Sequence, residues 1–109
     1  MLTAADAPLL AIFAAVVKHR SFSAAAIELK LSKSVVSERI KQLEERCGAR
    51  LLERTTRTLR LTELGDAVLA TAARVEDELG GLARRLDAAH GPLRQRVRDA
   101  GRAILGDAP

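Results

Sequence analysis

Apolar residues first recur at positions 9, 12, 13, 16 and 17, a spacing that lays Leu9, Ile12, Phe13, Val16 and Val17 along one side of a helix. Pro8 suits a first helical turn, so this helix is expected to start there and to end near residues 18–20. The segment "SFSAAAIEL" restarts the pattern. Ser23 is expected to cap a second helix, with Phe22 just outside it clasping Ile27 as a hydrophobic staple. Ala24, Ala25 and Ala26 leave room for a neighbouring helix to pack close. This second helix must stop near Lys30, because Ser32 reads as the cap of a third, running from Lys33 to about Cys47 and closed by Gly48. Val36, Ile40, Leu43 and Cys47 form its core side. Two short helices separated by so brief a turn make a helix-turn-helix over residues 22–41.

After Gly48 the period shortens. Leu52, Glu53 and Arg54 mix apolar and charged residues, residues 55–58 are polar, and Leu59 and Leu61 flank Arg60 in period two, which predicts a small hairpin. Thr62 can cap a long fourth helix in which Leu64, Val68, Ala72, Val75, Leu79, Leu82 and Leu86 recur in a heptad-like seam. Gly80 and Gly81, each costing about 1 kcal/mol against alanine inside a helix, mark either a break or a close helix crossing. Past Gly91-Pro92, Leu93, Val97, Ala100 and Ile104 could share one side of a short basic helix, but Gly101 and the lack of a good cap favour a tail.

The expected fold is therefore mainly α. A winged helix-turn-helix, made of a three-helix bundle plus a small β-hairpin wing, occupies residues 5–62. A linker helix for dimerisation follows in residues 63–90, then a basic tail or short helix in 91–109.

Composition agrees and narrows the setting. A chain of 109 residues with 48% apolar content but only two aromatics, Phe13 and Phe22, builds a modest core of aliphatic side chains. Cys47 is the sole cysteine, which rules out an internal disulfide or a cysteine-rich metal cluster and fits a reducing compartment. With no run near the roughly 18 apolar residues of a membrane span and no signal peptide, a cytoplasmic protein without a membrane partner is expected. Charge is unevenly spread: residues 1–60 hold eleven Lys and Arg against six Asp and Glu, whereas residues 61–90 hold three against six. The positive field belongs to the first half, where a polyanion would be drawn.

That field gives the third helix a function. With Val36, Ile40 and Leu43 turned inward, Lys33, Ser34, Ser37, Glu38 and Lys41 share the opposite face near the helix start. Short hydroxyls let a backbone approach a DNA major groove while the donors reach base edges. Ser23 and Ser32, at the two helix starts, join this DNA-binding set. Arg54 and Arg57 on the wing are expected at phosphates or the minor groove, although the side of the strand that carries Arg54 can turn inward. Other chemistries find little footing. Ser34 and Ser37 have no histidine placed to activate them, and His19 and His90 lie far apart without metal-ligand spacing, so no enzyme, cofactor or metal site is expected and both histidines read as solvated. Cys47 reads as a small buried hydrophobe. RNA binding is disfavoured for want of exposed aromatics on which bases stack.

Residues 9–69 also resemble the DNA-binding domain of LysR-type transcriptional regulators. The matching pieces are "FSAAA..L" from Phe22, "S.S.VS..I..LE" from Ser32, "G..LLERT.R" from Gly48 and "LT..G" from Leu61, with Phe13 and Val16 in the first helix. The resemblance implies an operator-binding dimer that reads with the helix starting near Ser32 and pairs through the linker helix. Leu64, Val68, Val75, Leu79, Leu82 and Leu86 are the pairing residues on the seam. Family members usually carry glutamine at the position of Lys33 and often arginine or another polar residue at that of Glu38. Lysine here favours guanine acceptors, and Glu38 either accepts from cytosine or pairs with Lys41. The family's larger inducer-binding region does not fit within this chain, so no inducer site is expected in it. An alternative is a short interaction protein whose linker helix pairs with a full-length regulator and modulates it.

Overall fold

A computed structural model describes the backbone of residues 1–105 and the side chains of residues 1–91. It contains a 3-10 turn at Ala4–Asp6, helices α1 (Ala7–His19), α2 (Phe22–Leu29) and α3 (Lys33–Cys47), strands β1 (Leu52–Arg54) and β2 (Leu59–Leu61), and helix α4 (Glu63–Leu105). The chain forms two compact units, Met1–Glu76 and a second beginning at Asp77.

In the first unit the helix ends follow from local chemistry. Thr3 and Asp6 form a reciprocal capping box ahead of α1, which carries Pro8 in its first turn. At the far end Arg20 turns left-handed (φ 50°) and donates its N–H to the Val17 carbonyl. Lys30 (φ 57°) and Gly48 (φ 69°) end α2 and α3 in the same manner. Only Gly48 takes up this conformation without crowding a Cβ. Ser32 caps α3, its Oγ accepting the Val35 N–H at 3.1 Å.

The cap of α2 differs from the expectation. Ser21, not Ser23, accepts the Ala24 N–H, at 3.1 Å, so Phe22 is the first helical residue rather than an outside clasp. Ile27 is 80% exposed and no staple forms. The sharp left-handed end of α1 at Arg20 leaves Ser21 as the one extended residue between the two helices, and an extended residue is what a cap requires.

One core unites these elements. Leu9, Phe13, Ala15 and Val16 of α1, Ala25 and Ala26 of α2, and Val36, Ile40 and Leu43 of α3 meet Leu51 and Leu52 at the start of the wing. Ile12, Val17, Cys47 and Val68 are half-buried against it. The small alanines of α2 are covered, as helices in close contact require. Beside this core, Asp6 accepts from the Arg46 guanidinium at 3.1 and 3.2 Å, tying the start of α1 to the end of α3. That pairing, with the Thr3 N–H, holds the Asp6 carboxyl below its ordinary value.

The wing is an antiparallel pair with Leu52 opposite Leu61, Glu53 opposite Arg60 and Arg54 opposite Leu59. Its tip is closed by the Thr55 and Thr58 side chains and backbones, with Thr55 N–H to the Thr58 carbonyl at 2.9 Å. Thr62 closes the base and caps α4. Its Oγ1 accepts the Gly65 N–H at 3.0 Å and donates to the Arg50 carbonyl at 2.7 Å, while its own N–H reaches the Leu51 carbonyl at 3.0 Å.

In the second unit α4 continues through Gly80 and Gly81 without a break, and a Cβ at either would meet only the Arg84 or Arg85 side chains at ordinary contact distance. Leu79, Leu82 and Leu86 are exposed. The helix also runs past Gly91-Pro92 to Leu105, so of the tail and the short helix weighed for that stretch the backbone follows the helical one, as a continuation of α4. Leu, Arg, Gln and Ala in it are strong helix formers, which offsets Gly101. The side-chain stripe expected at Leu93, Val97, Ala100 and Ile104, and residues 106–109, lie outside the described residues.

Candidate nucleic-acid interface

Helix α3 buries Val36, Ile40 and Leu43 and leaves its opposite side to solvent, as its periodicity predicts. Lys33, Ser34, Glu38 and Lys41 are exposed and Ser37 is half-buried. These five line a recess of about 700 Å3 together with Glu44, Arg50 and Arg54. The capped start of α3 therefore faces the first residues of the wing across an open concavity, with four cations and two carboxylates on its walls. Ser32 is the exposed cap of α3 and Ser23 is exposed on α2; neither lines the recess.

The two wing arginines separate. Arg54 does not turn inward: it is exposed, lines the recess and lies with its guanidinium carbon 4.3 Å from the centre of the Phe22 ring. Arg57 lies at the tip, in a second groove of about 240 Å3 shared with Arg20, Phe22 and Arg54.

Glu44 and Arg50 escaped the reading of the sequence. Glu44 Oε2 accepts the N–H groups of Leu51 and Leu52 at 2.8 and 3.3 Å, with Arg50 Nε at 3.7 Å. A carboxylate on the recess floor thus anchors the wing's first strand and faces Arg50 at the same time. Its position three residues after Lys41 on the same face was the available signal. Glu38 and Lys41 are both exposed and form no ion pair or hydrogen bond with each other among the described residues.

Outside the recess, His19 is half-buried rather than solvated, and its Nε2 makes no hydrogen bond. Its Nε2 lies 3.3 Å from Glu28 Oε1, which also takes Lys18 Nζ at 2.9 Å. Lys18 and then His19 hold the Glu28 carboxyl below its ordinary value, and Glu28 raises Lys18. His90 is exposed. Cys47 is half-buried, and burial, with Asp6 and Glu44 nearby, pushes its thiol up, as suits a packing residue. Among the described residues no helix is long and apolar enough to cross a membrane, and no group of three or more His, Cys, Asp or Glu could hold a metal.

A family model of bacterial regulatory helix-turn-helix proteins of the lysR family matches residues 8–66, which span all three bundle helices, the wing and the cap of α4. The chain belongs to the LysR family. Among its relatives, the HTH-type transcriptional regulator PtxR of Pseudomonas aeruginosa is 48% identical over 69 residues, 63% of this chain and 22% of PtxR. The HTH-type transcriptional activator AmpR of the same species is 40% identical over 78 residues, 72% of this chain and 26% of AmpR. The chain thus spans about a quarter of the length of the relatives it matches. Its fold is that of solved LysR-family DNA-binding domains. A crystal structure of the BenM domain in complex with catB site 1 DNA superposes with a TM-score of 0.71 at 29% identity, covering 76% of this chain and 93% of that one. The corresponding CbnR domain, also solved with DNA, gives 0.68 at 34% identity, covering 76% and 95%.

Proposed function

We propose that this chain is the DNA-binding portion of a LysR-type transcriptional regulator, binding a specific double-stranded operator as a homodimer in the cytoplasm and performing no catalysis of its own. The observation that carries the reading is the uncovered, capped start of α3, facing the wing across a recess lined by Lys33, Ser34, Ser37, Lys41, Arg50 and Arg54. Dimensions and chemistry both suit a duplex: a helix end enters a major groove, and cations flanking it neutralise phosphates.

The parts divide the work. Lys33, Ser34 and Ser37 meet base edges and discriminate among sequences. Glu38, without a partner among the described residues, accepts from an exocyclic amine of cytosine or adenine and repels the acceptor edges of guanine and thymine at the same place. Ser23, Ser32, Lys41, Arg50, Arg54 and Arg57 hold the backbone and set register. The exposed Leu64, Leu79, Leu82 and Leu86, with the half-buried Val68 and Val75, supply the pairing seam on α4. A symmetric operator follows from a twofold dimer.

Selection of bound duplexes from a random pool at moderate salt, combined with a solution mass, tests this. A palindromic motif and a two-chain mass are expected. A two-chain or mixed assembly that enriches no sequence would replace this reading with that of an interaction protein acting on a longer regulator.

A further inference from the structure

Resting on the DNA-binding reading, we infer that Phe22 is a positioning residue for Arg54: its ring is a fixed platform that aims the wing's guanidinium into the recess, and so tunes DNA affinity without touching DNA. Three observations carry this. First, the guanidinium carbon stands 4.3 Å from the ring centre, within the range of a cation–π contact. Second, the ring is held. Phe22 is the first residue of α2, directly after the Ser21 cap and the left-handed Arg20, and it packs half-buried against the core. Third, Arg54 lies where the two grooves meet, lining the recess beside Lys33 and Ser37 as well as the groove at the wing tip.

A long flexible side chain at the end of an exposed strand loses rotamer freedom when fixed. If the ring has already restricted it in the free protein, less of that loss falls on the binding step. With the guanidinium carbon over the ring, N–H groups at the guanidinium edge remain to donate to phosphate, a division lysine cannot reproduce. Arg54 has no carboxylate partner among the described residues, so the ring is what orients it.

The test is a double-substitution cycle on operator affinity with Phe22→Leu, Arg54→Ala and the pair. Phe22→Leu is expected to weaken binding roughly two- to fivefold in the otherwise unchanged protein. In the Arg54→Ala background it should have no further effect, and Phe22→Tyr should restore the loss. Equal weakening in both backgrounds would overturn the inference, since the ring would then be acting through the fold. A wild-type chain that enriches no duplex in the selection above would instead remove the DNA reading itself. Should Phe22→Leu fail to fold, the free wild-type protein still decides: the ring current must shift the Arg54 side-chain protons upfield in its NMR spectrum, and unshifted, freely averaged protons would refute the stack.

Discussion

Lys33, Ser37 and Arg57 differ in what each can tell a duplex. The first two sit within the opening turns of α3, where a donor can distinguish base edges, whereas Arg57 sits on a wing tip that offers only a charge. Lys33→Ala or Ser37→Ala should therefore cost about 1–3 kcal/mol on the preferred site and much less on others, flattening discrimination. Arg57→Ala should weaken all duplexes alike and lower the slope of log affinity against log salt by about one. Glu38→Ala should act in the opposite sense, strengthening binding overall while erasing the preference at one base pair per half-site. Competition titrations against single-base variants of the selected operator separate these outcomes. Unchanged discrimination after both the Lys33 and the Ser37 replacements would remove α3 as the reader.

Between elements, the fold is secured at two junctions that local sequence does not display. At the first, the start of α4 presses on the wing: a Cβ on Gly65 would collide with the Leu51 carbonyl and crowd Leu61 Cδ2 at 3.2 Å. The Leu51 carbonyl is also held by Thr62 and is not free to retreat. Gly65→Ala should thus destabilise by roughly 1–3 kcal/mol, although alanine gains about 1 kcal/mol in helix propensity, and urea unfolding reads the difference. At the second junction, Asp6 and Arg46 join α1 to α3. Because folding lowers the Asp6 pKa from 3.8, its contribution is present above that pH and disappears as acid titrates the folded carboxylate. Asp6→Asn should lower the melting temperature at neutral pH, and the gap to the wild type should close below pH 3.8. A gap that stays constant into acid would deny the ion pair any part in stability.

These junctions also mark where the sequence stopped being legible. Period, caps and glycine located α1 to α3 and the wing, because each is decided within a few residues of itself. The "SFS" cap went to the wrong serine because both have the same cap chemistry, and the choice was made by Arg20 turning left-handed without a glycine to announce it. Likewise Arg54 over Phe22, and Glu44 beneath Leu51 and Leu52, join residues whose meeting is a product of the packed core.

For the whole molecule the decisive question is what covers the α4 seam. Leu79, Leu82 and Leu86 are 62%, 44% and 43% exposed, and all three fall in the second compact unit, outside the core of the first unit, the headpiece (Met1–Glu76). Replacing them with serine should leave the melting of the headpiece unchanged while converting a two-chain mass to one. The effect on DNA then follows from linkage rather than from any lost DNA contact. A dimer seats its second headpiece at high effective concentration, so its loss should weaken operator binding by roughly 10²–10⁴-fold and approximately halve the salt slope, leaving weak recognition of each half-site. Retention of full operator affinity by a single-chain species would show that α4 has no such coupling role. Retention of a two-chain mass would place the pairing surface elsewhere on the protein. Loss of mass with half-site recognition intact would join both units in one mechanism, in which α3 chooses the bases and α4 sets how many copies are read together.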